Sequence, residues 1–437
     1  MLCGDGWLVR IRTGARALSS RELRALSRLA QEHGNGIIEL TRRANLQLRG
    51  LRLERISELQ AELVALGLVD ASPSREARPG LLVDPVAAID NAALNELAYA
   101  IDEALAESAA SHLSAKLGVV LDAGSGSVSA VAADILVVAG AARDNVQIHV
   151  GTHAGTQLLG ECERAQAASA VKKLLSMLSD FARGEPAHAT TAAVSRESSN
   201  APVEPSLAAT SGRIAAARIR DLVAARGLAA LRADVAALVA APASLPLRAL
   251  PPTAALGFRA AGSSSWLGIA LPFGSASHAE WVEIAELAER FASAEVRLTP
   301  GRELLFVGVQ REQVDRLAEV ASRLGFITGP TDPRRPVVAC SGAPACSSAY
   351  GDTRGLASTL GTELQLLLAA GATLHVSGCE KGCASRAPAD FSVVLAPDGA
   401  RLALNADVAA ASCAPVEALS TISAKLRSLD KPMRTAQ

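Results

Sequence analysis

The chain has 437 residues, 49% hydrophobic and 20% charged, with a formal net charge of −1. Such a composition describes a globular protein with enough apolar residues for sizeable cores in about two to four domains, and it lacks the basic surplus of a nucleic-acid binder. The apolar stretches are short, as where Asp134 interrupts Val131 to Ala142, and the start, Met1-Leu-Cys-Gly-Asp-Gly6, has no basic region before an apolar core; no membrane span or secretory leader is expected, and the protein is read as cytoplasmic.

In chain order, Trp7 to Arg12 reads as a strand followed by a turn at Gly14. Ser19 and Glu22 have the spacing of a capping box, Leu23, Leu26 and Ala30 recur at helical intervals, and Gly34 supplies a stop. Ile37 to Leu40 and Asn45 to Leu51 are expected strands. Alternation from Arg43 to Arg49 places Arg43, Asn45, Gln47 and Arg49 on one face, while Arg10 and Arg12 share a face of a neighbouring strand. Through residue 55 there are eleven Arg against five acidic residues. A basic sheet face of this kind matches carboxylates by two-point guanidinium hydrogen bonds, although a solvated strand face has the same look.

Asp90 to Leu105 is a helix candidate, and Leu117 to Leu121 and Asp134 to Val138 are strand candidates. Val146 to Gly155 reads as a strand and then a turn, carrying His149 and His153, the only closely paired histidines. Residues 184–212, rich in Ala, Ser, Thr and Pro without periodicity, are expected to be a linker, and Ile214 to Val239 a helix.

The layout of the start then recurs. Ser265 to Ile269 resembles Gly6 to Arg10, a helical stretch follows from His278 to Phe291, and Arg297 to Val309 parallels Glu39 to Leu51; Trp266 stands 259 residues after Trp7, and Thr299 stands 258 after Thr41. The parallel predicts a duplication with pseudo-twofold packing. The second copy lacks the polar stripe, with Gly301, Glu303, Leu305 and Val307 at the corresponding parity, though Arg302 remains a candidate substrate contact. Asp352 to Ala370 reads as a helix, and Thr373 to Val376 and Asp390 to Leu395 read as strands.

Four of the seven cysteines form two short clusters, Cys340-x5-Cys346 and Cys379-x3-Cys383. Four thiolates, one per iron, are what a cubane [4Fe–4S] cluster needs, and the small residues around them let backbone N–H groups approach the sulfides. A zinc site more often uses shorter C-x2–4-C pairs, and buried core thiols would not fall in two Gly-rich loops. Cys3, Cys162 and Cys413 are isolated and read as small apolar residues. A non-catalytic cluster protein that carries electrons or senses oxidants is an open alternative.

The two cysteine pairs, the Thr41-Arg-Arg-Ala-Asn-Leu-Gln-Leu-Arg-Gly50 strand and the duplication together resemble the sirohaem nitrite and sulfite reductase superfamily over nearly the whole chain outside the linker. Within it the resemblance is to the precorrin-3B synthase family. The loop His375 to Ala384 has Lys381 where the reductases usually carry Asn. Lys116 fits the first position of the reductases' Lys-x-Lys pair, but Gly118 stands at the second.

The resemblance implies an α+β, pseudo-twofold duplicated nitrite/sulfite reductase-like fold. It would have ferredoxin-like half-domains at 1–75 and 251–328, an α/β domain without cluster cysteines at 76–183, a linker and helical segment at 184–250, and the cluster domain at 329–432. It also implies a precorrin-3A substrate, O2, an NADH-linked electron donor and a separate non-haem iron, with oxygen inserted at the meso carbon between rings A and D and a γ-lactone closed from the ring A acetate. Arg43 and Gln47 would line the tetrapyrrole cavity. His149 and His153 are candidate ligands of the second iron, His375 could hydrogen-bond the cluster, and Lys381 could meet a substrate carboxylate. A sirohaem-dependent sulfite or nitrite reductase, with Cys383 bridging cluster and haem iron, is the alternative.

Overall fold

The computed structural model describes residues 1–14, 16–108, 113–114, 116–128, 131–139, 144–184, 217–242, 255–261 and 264–429. They fall into two units, one formed by Met1–Val69 with Thr253–Gln437 and the other by Asp70–Pro252. Nearly all of the expected 184–212 linker lies outside the described residues.

In the first unit the two repeats each build a five-stranded antiparallel sheet and exchange an edge. The first sheet runs Leu2–Cys3, Gly6–Ile11, Leu46–Leu51, Ile37–Leu40, and then takes Ser275–Ser277 from the second repeat; the second runs Gly257–Ala261, Ser264–Ala270, Glu303–Val307, Glu295–Leu298, and takes Leu18–Ser19 from the first. Each borrowed strand leads straight into a helix. Ser19 caps Ser20–His33 with Glu22 at the reciprocal position, and Ser277 caps His278–Phe291 with Glu280 in the same role. Both helices bury apolar faces, including Leu23, Leu26 and Leu29 on the first and Ile284 and the fully enclosed Trp281 on the second. At about 1.5–3 kcal/mol per buried large apolar side chain, these faces outweigh the propensity of either helix alone. Ser27 Oγ donates to the His278 carbonyl at 2.6 Å and Trp281 Nε1 to the Ile38 carbonyl at 3.4 Å, so the repeats are joined by hydrogen bonds as well as by strand exchange.

The remainder of the first unit is a four-stranded sheet in the order Val337–Ala339, Leu374–Ser377, Ala389–Ala396, Gly399–Ala406, with the first three strands parallel and the last antiparallel. Leu374, Val376, Phe391 and Val393 pack with Leu360, Leu364, Ile422 and Leu426 in one core. The expected helix from Asp352 to Ala370 is interrupted: Thr353–Glu363 and Gln365–Ala369 meet at Leu364.

The second unit holds a sheet in the order Gly155–Glu163, Asn145–Thr152, Ile135–Ala139, Gly118–Asp122, Gly80–Val83, again with three parallel strands followed by antiparallel ones. Where its first parallel strand ends, Asp84 is fully buried and accepts from the Ser125 and Ser127 hydroxyls at 2.6 and 2.8 Å. A carboxylate thus ties the strand-end loops together in this unit. The single helix expected from Ile214 to Val239 is two, Ile219–Arg226 and Leu228–Val235, because Gly227 breaks it at φ +77. Among the described residues no helix is long and apolar enough to cross a membrane.

Candidate metal centre and ligand contacts

Cys340 and Cys379 sit just beyond the carboxyl ends of the adjacent parallel strands Val337–Ala339 and Leu374–Ser377, the position at which open α/β sheets present ligands. Register pairs Ala339 with Val376, and the Cys340 N–H continues the ladder to the Val376 carbonyl at 3.4 Å. The Gly378 N–H donates to Cys340 Sγ at 3.2 Å, the contact that stabilises a thiolate ligand. Gly378 is required there: a Cβ would lie 2.6 Å from the Ala349 Cβ. Gly342 turns the other loop at φ +68, and the Thr353 hydroxyl donates to the Cys340 carbonyl at 2.7 Å. Burial raises the Cys383 thiol, and Cys379, Cys340 and Cys346 act on it in the same direction, so the two cysteine loops lie within electrostatic reach of each other.

The donor set fits a four-iron cluster. Four soft thiols stand on two Gly-containing loops, three half-buried and Cys383 exposed, with backbone N–H support at Cys340. They are not among the sets of three ligand atoms within 4.8 Å of one another, the closeness that a single tetrahedral zinc with Zn–S bonds of about 2.3 Å would impose. Among the described residues such a set occurs at Glu32, His33 and Glu62, where Arg28 already pairs with both carboxylates at 2.5 and 2.7 Å.

The first Cys loop docks on the polar face of the first sheet. Glu39 and Gln47 are register partners on that face, and Glu39 accepts from Ser341 Oγ at 3.2 Å and from Arg354. Arg49, 5% exposed, bonds Asp5 at 3.0 and 3.1 Å, Glu39 at 3.1 Å and the Ala345 carbonyl at 2.6 Å. Burial pushes the Glu39 carboxyl up, but Arg354 and Arg49 outweigh it and hold the group below its ordinary value. Arg49 is therefore a tether of the cysteine loop rather than an open member of a ligand-binding stripe. Arg42 tethers the second loop, donating to the Ala384 carbonyl at 2.9 Å.

The expected strand alternation also stops short. Leu46 begins the strand, and residues 41–45 form a turn in which Ala44 takes φ +54 and the Thr41 hydroxyl accepts from the N–H groups of Arg43 and Asn45 at 3.3 and 3.1 Å. Arg43 and Asn45 are thus presented by a turn, not by the strand. Arg10 does face Gln47: its guanidinium donates to the amide oxygen at 3.2 and 3.0 Å when that oxygen is turned towards it. Arg12 lies one residue past the end of Gly6–Ile11.

A relative 30% identical over 419 residues, 93% of this chain and 81% of the relative, is a precorrin-3B synthase of a Sinorhizobium species. The chain belongs to the precorrin-3B synthase family. That family lies within the nitrite/sulfite reductase superfamily, whose ferredoxin-like half-domain model matches residues 4–66 and 259–323, the two repeats that exchange strands. The ferredoxin–nitrite reductase of Synechococcus elongatus is 23% identical over 407 residues, covering 89% of this chain and 76% of that one. The solved structure of the Mycobacterium tuberculosis NirA protein superposes with a TM-score of 0.68 at 20% identity, over 91% of this chain and 74% of that one, and speaks for the fold.

On this family framework, Arg302 and His375 lie beside the tethered loops. Arg302 takes φ +61 and donates to the Phe273 carbonyl at 2.9 Å; burial, with Arg42 and Arg354 nearby, lowers it to about 10. His375 is 2% exposed on Leu374–Ser377, and burial, then Arg42 and Arg302, lowers it to about 4, so the imidazole is neutral. Lys381 donates to Ser348 Oγ at 2.9 Å and, with Tyr350, Cys379 and Arg401, lines an open cavity of about 370 Å³.

Three candidates belong to the second unit. Lys116 precedes the strand Gly118–Asp122. His149 is buried with Nε2 3.3 Å from Gln147 Oε1, whereas His153 is exposed in a turn, 4.0 Å from Asp221. Among the described residues the two share no three-atom ligand set, so they do not present the facial triad that a non-haem iron needs. Sequence patterning missed Asp5, Glu39, Arg42 and Arg354; a buried acid in an otherwise apolar strand, Ile37-Ile-Glu-Leu40, was the available signal.

Proposed function

We propose that this chain is an oxygen-dependent oxidoreductase of aerobic cobalamin biosynthesis that converts precorrin-3A to precorrin-3B, with Cys340, Cys346, Cys379 and Cys383 holding one [4Fe–4S] cluster. The observation that supports this reading is the placement of Cys340 and Cys379 just beyond the carboxyl ends of adjacent parallel strands, with the Gly378 N–H on Cys340 Sγ, in a chain 30% identical to a named precorrin-3B synthase over 93% of its length. A cluster bound there supplies one-electron transfer. In the proposed overall reaction one atom of O2 enters the substrate at the meso carbon between rings A and D, with γ-lactone closure from the ring A acetate. The other atom leaves as water, and NADH with one proton provides the two electrons and two hydrogens.

The chain's own task is to bind and orient a polycarboxylate macrocycle. Arg43, offered on the 41–45 turn, and Gln47, whose amide is oriented by Arg10, are the proposed contacts, with Arg302 and Lys381 as further cationic candidates. Asp5, Arg49, Glu39 and Arg354 position the first cysteine loop against that surface. No residue is assigned to a second iron.

Similarity to a ferredoxin–nitrite reductase over 407 residues supports a second reading, a sirohaem-dependent reductase. Anaerobic purification with iron, sulfide and tetrapyrrole analysis, followed by incubation with precorrin-3A, O2 and a reductant, separates the two. A product heavier by one oxygen is expected. Co-purified sirohaem with reduction of nitrite or sulfite, and no oxygenated product, would replace the synthase reading by the reductase one.

A further inference from the structure

We propose that His375, Arg302 and Arg42 form a receptor for one carboxylate of the macrocyclic substrate, set beside the cysteine loops. The inference rests on the tetrapyrrole reading above and adds a specific subsite to it.

His375 is the starting point. Its strand neighbours Leu374 and Val376 point into the apolar core, so alternation sends the imidazole to the opposite face of the sheet. There it is 98% enclosed, given its 2% exposure, yet neither ring nitrogen has a hydrogen-bond partner among the described residues. A neutral imidazole always carries one N–H donor, and buried polar groups are almost always paired. The nearby charges that act on this ring are two guanidiniums, Arg42 and Arg302. A partner for the ring must therefore accept a hydrogen bond and tolerate, or require, two adjacent cations.

Arg302 makes the same demand. Its backbone sits in the left-handed region, sparsely populated by non-glycine residues, and it approaches Gly274 so closely that a Cβ there would lie 2.3 Å from the Arg302 Cδ. The guanidinium gives one hydrogen bond to the Phe273 carbonyl, while its buried Nε has none. The acidic group that acts on it, Glu39, is already engaged by Arg49, Arg354 and Ser341. Arg42 is exposed and is held in place by the Ala384 carbonyl, which sets it at the outer side of the group. A planar carboxylate meets all of these requirements, accepting from the imidazole N–H and from guanidinium donors at once.

The cluster is the competing source of negative charge, because Cys340 also acts on Arg302. His375→Leu separates the two, since it removes a hydrogen-bond donor without changing charge. Arg302→Asn removes the cation with a residue that tolerates a left-handed backbone. Both are to be compared with wild type as cluster-loaded protein, checked by iron and sulfide content, in anaerobic fluorescence titrations with uroporphyrin, an octacarboxylate macrocycle. Each variant is expected to weaken uroporphyrin binding by about tenfold or more, the usual worth of a hydrogen bond to a charged group. Unchanged affinity in both variants, with or without a displaced cluster midpoint potential, would overturn the subsite and leave the tetrapyrrole reading intact. Failure of wild type itself to bind uroporphyrin would overturn both.

Discussion

Arg49→Met tests whether the first cysteine loop depends on the sheet beneath it. The substitution removes four hydrogen bonds: two to Asp5, one to Glu39 and one to the Ala345 carbonyl. At about 1.5–3 kcal/mol for each bond to a charged group, a simple sum overshoots, because neither acid is stranded. Asp5 keeps the Asn35 amide at 3.1 Å and reaches solvent with 11% of its side chain exposed, and Glu39 keeps Arg354 and Ser341. The Ala345 carbonyl keeps the Gly4 N–H at 3.2 Å. The expected loss is therefore about 3 kcal/mol, the lower end of the range for breaking a buried ion pair. It would be measured by anaerobic urea unfolding of cluster-loaded protein, as a lowered urea midpoint at unchanged slope, and by thermal unfolding as a fall in Tm of about 6–12 °C. Arg49→Lys, which keeps the charge but loses the fork, should cost about 1–2 kcal/mol. A loss under about 1 kcal/mol for Arg49→Met, accompanied by weaker tetrapyrrole binding, would refute the tether and restore the ligand-binding role that strand alternation suggests.

Cys340→Ser should abolish loading of the cluster; four irons and four sulfides retained per chain would contradict the ligand assignment. Gly378→Ala brings a Cβ to 2.6 Å from Ala349 and pushes away the N–H that reaches Cys340 Sγ, so cluster retention on dilution into chelator should fall and stability drop by about 1–3 kcal/mol; full retention at unchanged stability would show that the loop yields. For His375 the sign follows from its lowered pKa: between about 6.5 and about 4 the unfolded chain binds a proton that the folded chain does not, so stability falls as pH drops through that window. His375→Leu should flatten the fall by about 1 kcal/mol between pH 6.5 and 5.5, read by urea unfolding in that interval; parallel wild-type and variant curves would refute it.

The proposed cluster ligands could be named from the sequence because thiolate ligation demands a residue type and a loop, and both are local. Cys340, Cys346, Cys379 and Cys383 are recognisable from spacing and glycine content alone. The basic face was read less faithfully. Alternation assumes an unbroken strand, but Thr41 closes a turn through Asn45 and Ala44 adopts a positive φ, which takes Arg43 and Asn45 out of the register that Gln47 and Arg49 keep. The helix from Asp352 to Ala370 failed likewise at Leu364, where no Gly or Pro announces the break.

The duplication and the capping box at Ser19 rest on local chemistry, which a linear reading can follow because the interacting groups are a few residues apart or recur at one offset. Which strand completes which sheet, and which arginine binds a ligand rather than a loop, were decided by contacts spanning hundreds of residues, such as Ser277 with Ile37 and Arg49 with Ala345. A guanidinium has the same sequence signature whether its partner is a substrate carboxylate or a backbone carbonyl. Burial and the position of the acceptor distinguish the two, and both exist only once the chain has folded.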